Sequence, residues 1–161
     1  MQTVTVIGVG RLGQPFLQQG CAEYAKRLSA FCDLKLVELP EEMIREKAAG
    51  DAEIRRALQK EGERILAAVP KSASLVALCI EGKQLSSEEL ADFFQQKALS
   101  GRADVAFVIG SSHGLSDEVK ARAALRLSMS RMTFPHQLAR LMLLEQIYRA
   151  ASINAGTRYH K

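Results

Sequence analysis

The sequence predicts an α/β fold: a mainly parallel sheet of five to six strands flanked by helices, in one domain spanning residues 1–161. Three observations predict it. Short β-branched stretches alternate along the chain with longer stretches of helical period. Two of the short stretches, Ser74–Ile80 and Asp104–Ile109, are almost continuously apolar, as strands covered on both faces are. The chain is also long enough to bury a core without disulfides or a structural metal.

Taken in order, Gln2–Gly8 alternates and is rich in valine, which predicts a strand. Between Leu12 and Phe31, apolar or aromatic residues at 17, 21, 24, 25 and 28 have helical spacing. Asp33–Leu39 alternates again and stops at Pro40. Residues 40–50 are polar, lie between Pro40 and Gly50, and are expected to form a mobile loop. Helical period returns over 51–69, with Ile54, Ala57, Leu58, Ile65, Leu66 and Val69 on one stripe. After the apolar strand 74–80, Ser86 and Glu89 form a capping signal for a helix to Leu99. The strand at 104–109 runs into a loop, Gly110–Gly114, followed by a short helix near 116–124 and a short strand near 125–129. A last helix is expected from Pro135 to Asn154. Its Leu141, Met142, Leu143, Leu144, Ile147, Ala150 and Ala151 cover nearly the whole circumference, so it needs burial on more than one side. A second copy in a homodimer supplies that cover; burial within one subunit is the alternative.

Composition narrows the function classes. With 47% hydrophobic and 25% charged residues, and no apolar run of membrane-spanning length, the chain reads as globular. No membrane association and a cytoplasmic location are expected, since the N-terminus has no signal-peptide pattern. Cys21, Cys32 and Cys79 are odd in number and lack CxxC spacing, so they read as small apolar residues, with no metal site. Charge is unevenly placed: residues 1–119 carry 14 Lys/Arg against 17 Asp/Glu, whereas residues 120–161 carry 8 against one, Glu145. A cationic C-terminal quarter suits an anionic partner such as a nucleic-acid backbone; a solvated basic face is the alternative.

Gly8-Val-Gly10-Arg-Leu-Gly13 matches GxGxxG after a strand, with Glu38 at the end of the next strand, as in a dinucleotide-binding fingerprint. The chain leaves little room for the second half-sheet and substrate domain of a nicotinamide-dependent oxidoreductase, and Pro15 and Gly20 interrupt the helix that follows. A tight turn that uses glycine for geometry is the preferred reading.

Three other segments follow or border the apolar strands: Leu78–Gly82, Val108–Gly114 and Leu127–His136. Ligands of open α/β sheets bind where loops leave the carboxyl ends of strands. Gly110 and Gly114 would let backbone approach a ligand, and Met129, Met132 and Phe134 offer apolar surface for an adenine ring, if they are not core. His136 would cap its helix or contact a phosphate.

In this order the segments resemble one family. The shared pattern comprises E-Y-x-K-R-L at Glu23–Leu28, K-E-G-x-x-I-L at Lys60–Leu66, L-x-I-x-G-K at Leu78–Lys83 and F-V-I-G at Phe107–Gly110. It continues with L-S-x-S-x-M-T-F-P-H-Q at Leu127–Gln137, L-x-E-Q-x-Y-R-A at Leu143–Ala150 and the terminal Tyr159-His160-Lys161. Over its whole length the chain resembles the RlmH family, small SPOUT enzymes that methylate N3 of a pseudouridine in 23S rRNA. One departure is Ser111, where the family usually has a second glycine.

The resemblance implies a C-terminal trefoil knot, an exception to ordinary topology that periodicity does not reveal. It implies S-adenosylmethionine held by Leu78, Gly110 and the segment Met129, Ser130, Arg131, Met132, Thr133 and Phe134. It also implies a homodimer in which the tail of one subunit lies near the cofactor of the other. Tyr159, His160 and Lys161 are the candidates to assist catalysis, being at a terminus with no evident packing role. His136, Arg140, Arg149 and Arg158 are candidate RNA contacts, although Arg149 also stands four residues after Glu145 and would pair with it. With no room for a separate RNA-binding domain, the expected substrate is 23S rRNA within the ribosome. A non-catalytic RNA-binding module is the remaining alternative.

Overall fold

The computed structural model describes residues 1–44 and 50–161. Ten elements follow in chain order: β1 (Thr3–Val9), α1 (Pro15–Leu28), β2 (Asp33–Leu39), α2 (Asp51–Ala68), β3 (Ser74–Gln84), α3 (Ser87–Leu99), β4 (Val105–Ile109), α4 (Asp117–Arg122), β5 (Leu125–Ser128) and α5 (His136–Ala155). The strands form one five-stranded sheet in the order β2-β1-β4-β3-β5, every neighbouring pair parallel. Of the expected 40–50 loop, residues 45–49 lie outside the described residues.

Alternation within the strands builds two cores. Val4 and Val6 of β1, Val76 of β3 and Phe107 of β4 face one side, where they meet Leu28 of α1, Phe94 of α3 and Leu143, Leu144 and Ile147 of α5. Ile7, Val9, Leu75, Ala77 and Val108 point the other way, against Ile65 of α2 and Val119 of α4. The helices thus cover both faces of the sheet, as its apolar strands require. The capping signal of α3 is realised as a reciprocal pair. Ser86 Oγ accepts from the Glu89 N–H and Glu89 Oε1 accepts from the Ser86 N–H, both at 3.0 Å.

Three elements differ from expectation. α1 starts at Pro15 because the residues before it are drawn into a turn: the Leu12 N–H donates to Glu38 Oε2 and the Gly13 N–H to Gln137 Oε1. β3 continues past Ile80 to Gln84 by bulging, so that Leu127 of β5 faces both Leu78 and Lys83. Gly82 is needed there, since a Cβ would lie 2.7 Å from the Arg126 carbonyl carbon. The third is α5, which finds much of its cover in its own subunit. It packs between α1 and α3, burying Leu143, Leu144, Ile147 and Ala150.

Arg140 joins α5 to the other end of the chain. It is buried, pairs through Nη1 with Glu38 Oε2 at 2.6 Å, and donates through Nη2 to the Gly10 carbonyl at 3.1 Å. Its guanidinium fills the place of a side chain on Gly8, where a Cβ would sit 2.7 Å from Nε. Gly8→Ala therefore forces a methyl group into a fixed cation. The expected cost is about 2 kcal/mol, read as a melting temperature lowered by roughly 4–8 °C in thermal denaturation. An unchanged melting temperature would show that Arg140 can move aside.

Candidate functional site

Glycine placement at the front of the chain is explained by packing. Gly8 makes room for Arg140, and Gly10 takes a left-handed φ of 100° at the turn leaving β1. Glu38, which a ribose would have required, is engaged by Arg140 and by the Leu12 N–H. Burial alone would raise its carboxyl; the Leu12 and Arg140 bonds outweigh that and hold it below the usual carboxylate range. The fingerprint is a turn, and its acid is committed to structure.

At the carboxyl ends of β3, β4 and β5 the structure forms a cavity of about 700 Å³. Three separate stretches wall it: Leu78–Glu81, Ile109–Leu115 and the run from Leu127 to His136. Of the expected cofactor residues it brings together Leu78, Gly110, Met129, Ser130, Met132, Thr133 and Phe134. Arg131 departs from that expectation: its side chain is exposed and it is not part of the wall, because the turn carrying it directs it outward. That turn is tied locally. Ser128 Oγ donates to the Ser130 carbonyl at 3.0 Å, and Ser130 Oγ accepts from the Met132 N–H at 3.0 Å.

The opposite wall is a tight turn, in which the Gly114 N–H donates to the Ser111 carbonyl at 2.9 Å with Gly114 at φ 89°. A Cβ on Gly110 would lie 2.6 Å from the Gly114 carbonyl carbon, so only glycine lets this turn close. The cavity's size suits a ligand as large as a nucleoside with an amino-acid arm. Its wall combines apolar side chains with backbone polar groups of a turn. Glu81 and Lys120, both on the wall, form an ion pair at 2.5 Å that holds the Glu81 carboxyl below its ordinary range. Neither was singled out from sequence.

The other candidates are distributed differently. His136 is half-buried at the cavity beside Gly10; α5 has no side-chain N-cap, so the capping alternative does not hold. Arg140 is corrected outright. It lies inside the protein, held by Glu38 and the Gly10 carbonyl with Nε unpartnered, so its guanidinium is not presented to an RNA. Arg149 pairs with Glu145 through Nε at 2.9 Å and Nη2 at 2.6 Å, the pairing its spacing allowed. Arg158 is exposed.

The tail has a packing role that sequence reasoning did not find. Tyr159 donates to Glu145 Oε1 at 3.0 Å, accepts from Tyr24, stands edge-on to Tyr148 and lies under the Arg149 guanidinium. His160 Nδ1 is 3.2 Å from Arg149 Nη1, and Nε2 is 2.6 Å from Glu88 Oε1. A guanidinium can only donate, so Nδ1 accepts and Nε2 carries the hydrogen toward Glu88. Tyr24 and Glu145 also line a second groove of about 570 Å³, together with Leu141 and Met142 of α5. That groove shares Leu127 and Met129 with the 700 Å³ cavity. None of Tyr159, His160 and Lys161 lines the cavity of its own chain.

One further residue was missed. Glu61 is buried on α2 and accepts from Ser111 Oγ and the Glu42 N–H, each at 2.9 Å. The signal was present: a carboxylate four residues after Ala57 and four before Ile65 stands on the apolar stripe of its helix. Among the described residues, no cluster of three or more His, Cys, Asp or Glu forms a metal site, and no helix is long and apolar enough to cross a membrane.

Comparison with known proteins shows the family. The family model described as "Predicted SPOUT methyltransferase" matches residues 1–160. The Ribosomal RNA large subunit methyltransferase H of Ligilactobacillus salivarius is 50% identical over 98% of this chain and 99% of its own. The protein of the same name from Pelotomaculum thermopropionicum is 49% identical over 98% of each chain. Among solved structures, the SpoU methyltransferase AviRb of Streptomyces viridochromogenes is a distant likeness, with a TM-score of 0.45 at 13% identity, covering 97% of this chain and 61% of that one.

The docked tail makes a spectroscopic prediction. Burial first, then the bonds to Tyr24 and Glu145, push the Tyr159 phenol well above its ordinary value. A raised folded-state pKa contributes stability that is present below the unfolded value of about 10 and lost as pH rises through the folded one. In alkaline titration followed by phenolate absorbance, Tyr159→Phe should remove the phase at highest pH. The variant should also lose less stability than wild type as pH climbs past about 10; identical titration curves would contradict the docked geometry.

Proposed function

The chain belongs to the SPOUT methyltransferase family, and on that premise we propose that it transfers a methyl group from S-adenosylmethionine to N3 of a pseudouridine in 23S rRNA. Its substrate is the assembled ribosome, which places it in the cytoplasm. The observation that carries this reading is the convergence of Leu78, Gly110, Met129, Ser130, Met132, Thr133 and Phe134, from three separate parts of the chain, on one cavity. Relatives about half identical over nearly their whole length carry the name of a large-subunit rRNA methyltransferase.

S-adenosylmethionine supplies, when bound, a methyl group already activated on a sulfonium. The work left to this chain is binding and orientation. Leu78, Leu127, Met129 and Phe134 offer apolar surface to an adenine ring, and the 110–114 turn offers backbone groups to its polar edges. N3–H of a uracil-like ring is weakly acidic, so a base or nearby positive charge helps it leave. Tyr159, His160 and Lys161 are the proposed assistants, acting on the cavity of a second subunit. Two features support that arrangement. The tail borders the groove formed by Leu141, Met142 and Glu145, and the groove meets the cavity at Leu127 and Met129. In an isologous dimer, a second copy covering the groove brings its own tail to the same place.

The docked state limits which tail group takes the proton. Tyr159 is held in its protonated form and His160 Nδ1 is occupied by Arg149, so neither is a free base until the tail or its partners shift. RNA binding offers that shift, since a phosphate competes for Arg149. His136 and Arg158 are the proposed RNA contacts. The trefoil knot belongs to the same reading: residues 129–135 run from the edge strand β5 to His136 beside Gly10 at the end of β1, crossing the carboxyl ends of β3 and β4.

Mass mapping of methylated 23S rRNA nucleotides, from cells with and without the protein, tests the assignment. One methyl group on a pseudouridine should disappear in its absence; intact modification would sink the proposal. Removal of the last three residues separates enzyme from binder. Turnover on ribosomes should fall by at least about a hundredfold, while affinity for S-adenosylhomocysteine stays unchanged. Methylation of naked rRNA fragments as efficient as that of ribosomes would refute the assembled substrate.

A further inference from the structure

The 110–114 turn that walls the cavity is held from below by one buried carboxylate. Glu61 of α2 is 3% exposed, and each of its oxygens receives one donor: Oε1 the Ser111 hydroxyl and Oε2 the Glu42 N–H, both at 2.9 Å. Ser111 is itself buried and is the residue whose carbonyl closes the turn with the Gly114 N–H. One residue further along α2, Gly62 has no room for a side chain, since a Cβ would lie 2.5 Å from Ser116 Oγ. α2 therefore packs directly on the N-cap of α4, immediately beyond the turn. One turn later, Arg64 donates to the Pro40 carbonyl at 3.1 Å and pairs with Glu42 at 2.5 Å. Two neighbouring turns of a single helix thus fix the loops that follow β2 and β4.

We propose that Glu61 is a positioning residue for the cofactor cavity: by holding Ser111 it keeps the 110–114 turn in the conformation that accepts S-adenosylmethionine. The proposal rests on the reading of the 700 Å³ cavity as the methyl-donor site. Its physical basis is the cost of leaving a buried acceptor unsatisfied. Without the Ser111 hydroxyl, the turn exchanges one good conformation for several. Apparent affinity then falls by the fraction of molecules that remain competent. Serine at 111 also answers the departure seen in the sequence. Where a second glycine is usual, this chain places a hydroxyl, and the hydroxyl has a buried partner.

The test is calorimetry of the full-length protein with S-adenosylhomocysteine, paired with steady-state kinetics on ribosomes. Ser111→Ala should weaken cofactor affinity by roughly tenfold and leave the ribosome KM unchanged. Glu61→Gln should bind nearly as well as wild type. Its carboxamide can accept from the Glu42 N–H and donate to Ser111 Oγ, whose hydroxyl is free to rotate. The double variant loses that partner and should be as weak as Ser111→Ala. Ser111→Cys, with a weak donor in the same place, should fall between and carries the test if Ser111→Ala does not fold. Wild-type protein that binds no S-adenosylhomocysteine overturns the cavity reading and the proposal with it. Wild-type binding with Ser111→Ala within about twofold overturns the proposal alone, as does a ribosome KM that rises in parallel with the cofactor Kd.

Discussion

Arg140 brings a permanent positive charge into the interior, and the arrangement of both chain ends depends on how that charge is compensated. Removing a guanidinium from water costs several kcal/mol unless partners replace its hydration. Here the partners are the Glu38 carboxylate at the end of β2 and the Gly10 carbonyl just beyond β1. The compensation is incomplete, because Arg140 Nε is buried with no partner. Breaking either contact would leave more of the charge exposed to a low-dielectric surrounding, so the start of α5 is fixed against the carboxyl ends of β1 and β2. Gly8 has to be glycine for the same reason.

That anchor explains how a chain with few regular contacts over residues 129–135 can wall a cavity. The segment leaves β5 at one edge of the sheet and is caught at the other side by α5, whose first turns carry His136 and Arg140. Its two ends are set by the fold, and its middle is shaped by Ser128 and Ser130 bonding to neighbouring backbone. The facing wall is set by Gly110 and Gly114 from above and by Glu61 from below. The cavity wall is thus built from loops, and those loops are tied to buried polar groups on α5 and α2.

The sheet, helices and most of the cavity could be read from the sequence because each leaves a local mark. Strand alternation, the Ser86–Glu89 box and the Met129–Phe134 run are patterns within a dozen residues. What was misread involves partners far apart in the chain. Arg140 on a C-terminal helix looks like a phosphate contact until Gly8, 132 residues earlier, is seen to leave a space for it. The glycine fingerprint was read as a turn, but the reason for its first glycine lay in α5. The tail seemed unattached because its partners, Tyr24, Glu88 and Glu145, belong to three different helices. Glu61 is the intermediate case: its place on an apolar stripe marked it as buried, while its partner Ser111 was 50 residues away.

The same distinction changes the meaning of the cationic C-terminal quarter. Counted along the chain, residues 120–161 carry eight Lys/Arg and one acid. In the structure four of those cations face acids: Lys120 with Glu81, Arg122 with Glu118, Arg140 with Glu38 and Arg149 with Glu145. Two of the four acids, Glu38 and Glu81, come from far earlier in the sequence, so part of the charge imbalance is long-range pairing. Arg126, Arg131, Arg158 and Lys161 are exposed and, among the described residues, take part in no ion pair. Phosphate affinity rises with the number of neutralised charges, and the four unpaired cations of this quarter form a small footprint. Arg131, exposed and outside the cavity wall, adds to that footprint. A surface of this size favours a substrate whose own architecture presents the target base, which is the physical argument behind the proposed ribosomal substrate.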